Sequence, residues 1–199
     1  MLTIEGLETY LLQPRDPVDN DLLVEALRPT PSPLDVDVVV GVRGSIALPD
    51  MCNGLMIPIV AFDQIYSFDR DTLVNSIPRP ETIPIEQEES FRSAAGELFD
   101  RVMQAADNAG ATDEDRALNY LTVRYPSIYA TAADAFGRNE SLTAITVCPS
   151  SLSGTRNIVD VIFAYTNRNT DVTAKFFCRV DVTEEFPFMV TKMSPYYDR

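Results

Sequence analysis

The longest regular pattern of apolar residues lies in the middle of the chain. Between Glu86 and Asn108, apolar side chains recur at spacings of three and four, with Phe91, Leu98 and Val102 on one side. That period is typical of an amphipathic helix. Two shorter patterns of the same kind follow before Gly137, each opened by a capping or helix-breaking residue. The pattern therefore predicts three consecutive helices.

After Leu142 the period of the pattern changes to two, which is typical of strands. In the clearest case Val172, Cys178 and Val180 fall on one face, so Cys178 is expected to be a small buried side chain. Short polar connections between the segments favour an antiparallel meander with one face covered by the helices. The predicted strands are 142–148, 158–166, 172–182 and 188–193.

The first 84 residues contain ten of the fourteen prolines, which disfavours long helices there. Apolar and β-branched runs predict strands at 2–13, 35–42 and 55–62. The fold class predicted is α+β: a β-rich, proline-rich N-terminal part, then three helices packed against an antiparallel meander. We expect one domain over residues 1–199, with two sub-lobes, 1–84 and 85–199, as an alternative.

Charge and targeting signals narrow the class of protein. The 199 residues hold 30 Asp and Glu against 16 Lys and Arg, a net charge of −14. A charge of that sign repels phosphate backbones and anionic lipids, which argues against nucleic acid and membrane surfaces as partners. We expect no membrane span, because every apolar run is too short, and no signal peptide. Three widely spaced cysteines without a CxxC motif favour a reducing, cytoplasmic compartment.

The chain has no histidine, which excludes Ser-His-Asp and Cys-His catalysis and the usual catalytic zinc sites. The sequence therefore assigns no catalytic residue and no cofactor, and it leaves metal binding open. A cryptic enzyme remains an alternative, with Cys52 in a turn expected to be accessible, or with Asp35 and Asp37 on one side of a strand.

Aromatic residues are concentrated near the C-terminus, where they serve either the core or a protein interface. Arg156 belongs to a flexible polar loop that could hold an anion through backbone N–H groups and its guanidinium. The candidate binding residues are Phe186, Phe188, Tyr196, Tyr197, Arg199 and Arg156.

Several segments, spread over nearly the whole chain, are similar to one known family. Together they resemble the C-terminal domain of unknown function of the PatA and PatG maturation proteases of cyanobactin (patellamide-type) biosynthesis. The segments are Ile4–Tyr10, Pro14–Val18, Met51–Met56, Phe62–Phe68, Ala106–Glu114, Leu152–Arg156, Val182–Phe188 and Tyr196–Arg199.

The resemblance implies that this domain follows a subtilisin-like protease domain in one polypeptide. In that family the protease cuts a precursor peptide, and in the PatG type it also macrocyclises it. The protease triad cannot be transferred here, because the chain has no histidine and no matching motif. The expected role is a non-catalytic accessory or interaction domain in the biosynthesis of cyclic peptides, with the protease domain, the precursor peptide or a second copy as partner. Two alternatives stay open: a cryptic peptide-modifying enzyme and a purely structural, solubilising domain.

Overall fold

The computed structural model describes residues 1–4, 6–81, 83–105 and 109–197. The chain divides into two compact units, Met1–Thr72 and Leu73–Arg199. The sub-lobe boundary expected at residue 84 lies a short distance beyond this division. The assignment of residues 1–199 to a single domain stays a prediction.

The first unit is built on a mixed sheet of four strands. The strand order is β1-β2-β4-β3, in which β2 and β4 are parallel and the other two pairs are antiparallel. A single turn of 3₁₀ helix, Pro17–Asp19, leads from β2 into the helix α1. The elements are β1 (Leu2–Ile4), β2 (Leu7–Pro14), α1 (Asn20–Ala26), β3 (Asp35–Ile46) and β4 (Pro58–Asp69).

Gly41 marks an irregularity in the register between β3 and β4. A Cβ atom at Gly41 would lie 2.5 Å from the carbonyl oxygen of Ala61 and 2.7 Å from Cα of Phe62. Both of these atoms belong to the backbone, so neither can turn away as a flexible side chain would. The close approach of β3 and β4 therefore depends on the absence of a side chain at this position.

The second unit contains the three predicted helices and the predicted meander. Its four strands pair in sequence order, β5-β6-β7-β8, and every pair is antiparallel. These observations confirm the α+β fold class. The elements are α2 (Arg70–Ser76, which includes the boundary between the units), α3 (Glu88–Ala105), α4 (Asp113–Arg124), α5 (Ser127–Gly137), β5 (Glu140–Pro149), β6 (Ile158–Asn167), β7 (Thr173–Asp181) and β8 (Phe188–Pro195).

One face of the C-terminal sheet forms the core with the helices, and we call it the inner face. Val161, Phe163 and Cys178 on this face are completely buried, and Val161 lies directly opposite Cys178. The burial predicted for Cys178 is thus confirmed. The helices contribute side chains that are almost as deeply buried, namely Phe91, Leu98, Val102, Leu118, Leu121, Ile128 and Tyr129.

Candidate interaction surface

The opposite face of the C-terminal sheet, here called the outer face, carries charged and aromatic side chains. The strand register places Asp160 opposite Arg179 and Ile162 opposite Phe177. Asp160 also has a directly opposed residue on the other neighbouring strand, β5, and that residue is Cys148. Directly opposed residues in an antiparallel pair project on the same side of the sheet. The outer face therefore gathers these five side chains, which are far apart in sequence.

Arg179 is at the centre of the outer face. Its Nε donates to Oδ1 of Asp160 at 2.8 Å and to the hydroxyl of Ser150 at 3.2 Å. The guanidinium also lies 4.7 Å from the centroid of the Phe177 ring, within the range of a cation–π contact. Asp160 is only 9% exposed, so this ion pair is largely shielded from water. The arrangement fixes both the charge and the ring on the sheet surface.

A second arginine, Arg156, occupies the end of the same face. Its Nε donates to the carboxylate of the buried Asp181, to which the backbone N–H of Thr183 also donates at 3.0 Å. The hydrogen bond from Arg156 lowers the pKa of Asp181 to about 2. The Arg156 guanidinium lies 5.3 Å from the centroid of the Phe188 ring. Two residues predicted independently, Arg156 and Phe188, are therefore in contact.

Most of the aromatic residues near the C-terminus are exposed, and two of them, Phe188 and Tyr196, contact side chains of the outer face. Phe186, Phe188 and Tyr197 are 51%, 46% and 81% exposed. Tyr196 is half-buried, and its ring meets Phe177 edge-on with the centroids 5.6 Å apart. Arg199 lies outside the described residues. The role of these residues in binding stays a prediction.

Sequence reasoning missed Asp160, Phe177 and Arg179, which hold the outer face together. Phe177 and Arg179 occupy the alternate positions of the clearest strand, opposite to the apolar set that marks the core. This alternation could have placed Phe177 and Arg179 on the face of the strand that points away from the core. The partner of Arg179 could not be inferred, because it depends on the register between β6 and β7.

Arg116 of α4 anchors the segment that precedes β8. Its guanidinium donates to the carbonyl oxygen of Val182 at 2.7 Å and also to that of Glu184. The same side chain forms an ion pair with Asp113 at 3.2 Å. These bonds fix residues 182–185 against the helix, and so set the direction in which the chain reaches Phe186 and Phe188.

The thiol groups do not have the environment of a nucleophile. Cys52, expected in an accessible turn, is instead only 2% exposed and packs with Ala47 and Ile57, which corrects that expectation. Burial raises the pKa of Cys148, and the nearby carboxylates of Asp160 and Glu114 raise it further. Burial raises the pKa of Cys178 to about 12. A raised pKa keeps these last two groups in the unreactive thiol form.

The carboxylates proposed as a pair have separate partners. Asp35 forms an ion pair with Arg28 at 3.0 Å, and Asp37 accepts a hydrogen bond from the hydroxyl of Ser67 at 2.6 Å. Among the residues that the structure describes, no three His, Cys, Asp or Glu side chains are grouped so that they could hold a metal ion. Within the same residues, no helix is both long and apolar enough to cross a membrane.

Comparison with known proteins gives a family and a structural relative. The family model described as "PatG C-terminal" matches residues 85–196. A solved structure entitled "PatG Domain of Unknown Function" superposes with a TM-score of 0.70 at 21% sequence identity, over 98% of this chain and 79% of that one. At this identity the likeness shows a shared fold. No curated protein matches the chain. The family match covers more than half of the sequence and confirms the predicted resemblance, so the chain belongs to the PatG C-terminal family.

Proposed function

We propose that this chain is a non-catalytic accessory domain of a multidomain cyanobactin maturation protease, and that it contacts a protein partner through the outer face and the aromatic segment beside it. Membership of the PatG C-terminal family supports the proposal that the chain is part of such a multidomain protein. The absence of histidine supports a role without its own protease chemistry.

The observation that carries this proposal is the exposure of large apolar side chains at alternate positions. Phe186, Phe188 and Val190 are each between 41% and 51% exposed, whereas Met189 between them is half-buried. Exposed aromatic residues that cluster beside arginine are typical of the energetically important part of protein interfaces. We call Phe186, Phe188 and Val190 the aromatic strip.

The position of β8 adds a second means of recognition. This strand pairs with β7 and forms one edge of the C-terminal sheet. An edge strand offers unpaired backbone groups to an incoming extended segment. A precursor peptide in extended conformation fits that edge, and so does a loop of the protease domain.

The net charge of −14 bears on which partner binds. A second acidic copy would be repelled at long range, whereas a basic or neutral partner would be attracted or tolerated. Arg156 and Arg179 are paired with Asp181 and Asp160 on the outer face, so these two pairs add no net charge there. Of the partners expected, we therefore favour the protease domain and the precursor peptide over a homodimer.

The test is light scattering of the 199-residue chain, first alone and then titrated with the precursor peptide and with the protease domain of the same polypeptide. We expect a complex with one of them. The double variant Phe186→Ser/Phe188→Ser should weaken it by at least about tenfold, since buried interface aromatics each contribute about 2 kcal/mol or more.

Val172→Ser is the matched control, because Val172 is 67% exposed and precedes β7 at the end of that strand remote from Phe188. This variant should bind as the unmodified chain does. The proposal would be overturned if the unmodified chain binds neither partner. It would also be overturned if Val172→Ser weakens binding as much as the double variant does.

A further inference from the structure

A cleft lies between the beginning of α3, with the residues just before it, and the end of α5. It has a cavity volume of about 130 Å³ and opens to solvent on one side. Its apolar wall is formed by Ile83 and Phe91, which are 6% and 1% exposed, and by Ala133 and Phe136. We call this space the Asp134 cleft, after the carboxylate that also lines it. Because a protein cavity of about 150 Å³ holds a benzene molecule, the cleft has room for a small branched alkyl group.

Three polar side chains line the Asp134 cleft, and all of them are exposed, so a ligand in the cleft can reach them. They are Gln87, Ser90 and Asp134. Within the part of the chain that the structure describes, none of these side chains forms a hydrogen bond or an ion pair. They offer a ligand an amide oxygen, a hydroxyl oxygen and a carboxylate. A primary ammonium ion has three N–H donors and no acceptor, so it matches such a set of acceptors.

The charges that line the cleft favour a cation. Asp134 is the one charged side chain in the lining that the structure describes. Gly137, at the end of α5, also lines the cleft, and the C-terminal end of a helix carries a partial negative charge. The positive end of α3 is offset by Glu88 and Glu89 in its first turn. An anionic ligand would therefore be repelled here, whereas an ammonium ion would be attracted.

Three arginines lie near the cleft without lining it. Arg79 donates to the carbonyl oxygen of Ile83, and Arg92 donates to that of Ile77 at 2.6 Å. Arg168 contacts one of the rings in the wall and donates to a serine hydroxyl of β5. These bonds hold the three guanidinium groups outside the cleft. The carboxylate in its wall is therefore left for a cation that comes from elsewhere.

We infer that the Asp134 cleft binds a primary ammonium ion carried on a small branched alkyl group. The ammonium donates to the carboxylate of Asp134, and the oxygens of Gln87 and Ser90 accept its remaining protons. The alkyl group packs on Phe91 and Phe136 in the apolar wall. Such a ligand is either a free amine or the amino terminus of a peptide with a branched apolar first residue. The inference does not rest on the proposed function, because the cleft shares no residue with the outer face or the aromatic strip.

The experiment is an NMR titration of the 199-residue chain with 3-methylbutylammonium. The unmodified chain should bind it saturably, with chemical-shift changes in residues 83–91 and 133–137. Asp134→Asn should weaken binding by about tenfold, the loss expected for a hydrogen bond to a charged group. Ala133→Leu should weaken it at least as much, because the larger side chain fills the space for the alkyl group. The matched control Asp171→Asn makes the same change of charge at an exposed position outside the cleft, and should leave the affinity unchanged.

Further ligands test the charge, the apolar body and the source of the ammonium group. The neutral 3-methylbutanol, the anionic 3-methylbutanoate and methylammonium, which lacks the branched group, should all bind more weakly than the amine. Tighter binding of the tripeptide Leu-Gly-Gly than of the free amine supports a peptide amino terminus as the ligand, and the reverse supports a small molecule.

Four results would overturn the inference. They are the absence of saturable binding by the amine, equal or tighter binding of the alcohol, the acid or methylammonium, an affinity that is unchanged in both Asp134→Asn and Ala133→Leu, and an equal loss in Asp171→Asn.

Discussion

The carboxyl group of Asp181 shows how one ionisable residue couples the outer face to stability. Its pKa in the folded protein is about 2 because Arg156 and Thr183 donate hydrogen bonds to it, whereas a free aspartate has a value near 3.8. A pKa that is lower in the folded than in the unfolded state stabilises the folded protein at pH values above the unfolded-state pKa. That stabilisation is lost as the pH falls through the folded-state pKa.

We therefore expect the free energy of unfolding to decrease by on the order of 2 kcal/mol between pH 5 and pH 2 through this one group. Asp181→Asn should remove that part of the pH dependence, which urea titrations at several pH values would measure. Asp134→Asn, at an exposed position of α5, is the control and should leave the slope unchanged. A slope that survives in Asp181→Asn would contradict the assignment.

Gly41 supports a second prediction at the scale of the residue. Gly41→Ala should destabilise the protein by about 1–3 kcal/mol, because the new Cβ meets backbone atoms that have no room to yield. Gly44→Ala is the matched control in the same strand, since its Cβ would meet nothing closer than the carbonyl oxygen of Ile59 at 3.6 Å. Thermal unfolding of both variants makes the comparison. An equal loss in the two would show that the close approach at Gly41 is not the cause.

Individual residues were predictable where their surroundings are local. The burial of Cys178 follows from its place in an alternating strand. The burial of Cys52 does not, because its neighbours Ala47 and Ile57 come together through the loop that joins β3 to β4. The pairing of Arg156 with Asp181 was equally out of reach, since it requires two segments of the chain to meet at the end of β7.

At the scale of the element, Arg116 joins a helix to the segment that carries the aromatic strip. Arg116→Met should speed hydrogen exchange in residues 182–187 and lower stability by about 2 kcal/mol, because carbonyl oxygens then lose a charged donor. Arg124→Met, at the end of the same helix, is the control and should exchange normally in this segment. Exchange that is unchanged in Arg116→Met would mean that the segment is held in another way.

The elements themselves were predicted well where the pattern is periodic. The helix predicted at 86–108 is observed from Glu88 to Ala105, and residues 106–108 lie outside the described part of the chain. The four C-terminal strands lie within a few residues of their predicted positions. The N-terminal strands differ more from the prediction. The strand expected at 2–13 is two strands, β1 and β2, whereas β3 continues beyond residue 42 to Ile46, and β4 begins at Pro58 and continues to Asp69. Alternation weakens there, because strands that pair without a fully buried face need no strict period.

At the scale of the whole molecule, the amino-acid composition and the individual sequence motifs carried different information. The missing histidine excludes histidine-dependent catalysis, and the charge of −14 argues against nucleic acid and anionic lipid as partners, but neither indicates a role. The segments similar to the PatG family led directly to the family that the comparison confirms. The surface that we propose for binding depends on strand register and side-chain exposure. Neither property can be read from composition or from a family name.

The order of the strands has a consequence for how quickly each unit reaches its native state. In the C-terminal sheet every strand pairs with its neighbour in sequence, so each pairing closes a short loop. In the N-terminal sheet the parallel pair joins Leu11 to Ile59, across a long intervening chain. Loop-closure entropy makes distant pairings slow to form. Refolding should therefore proceed in two kinetic phases, with the meander forming in the faster one.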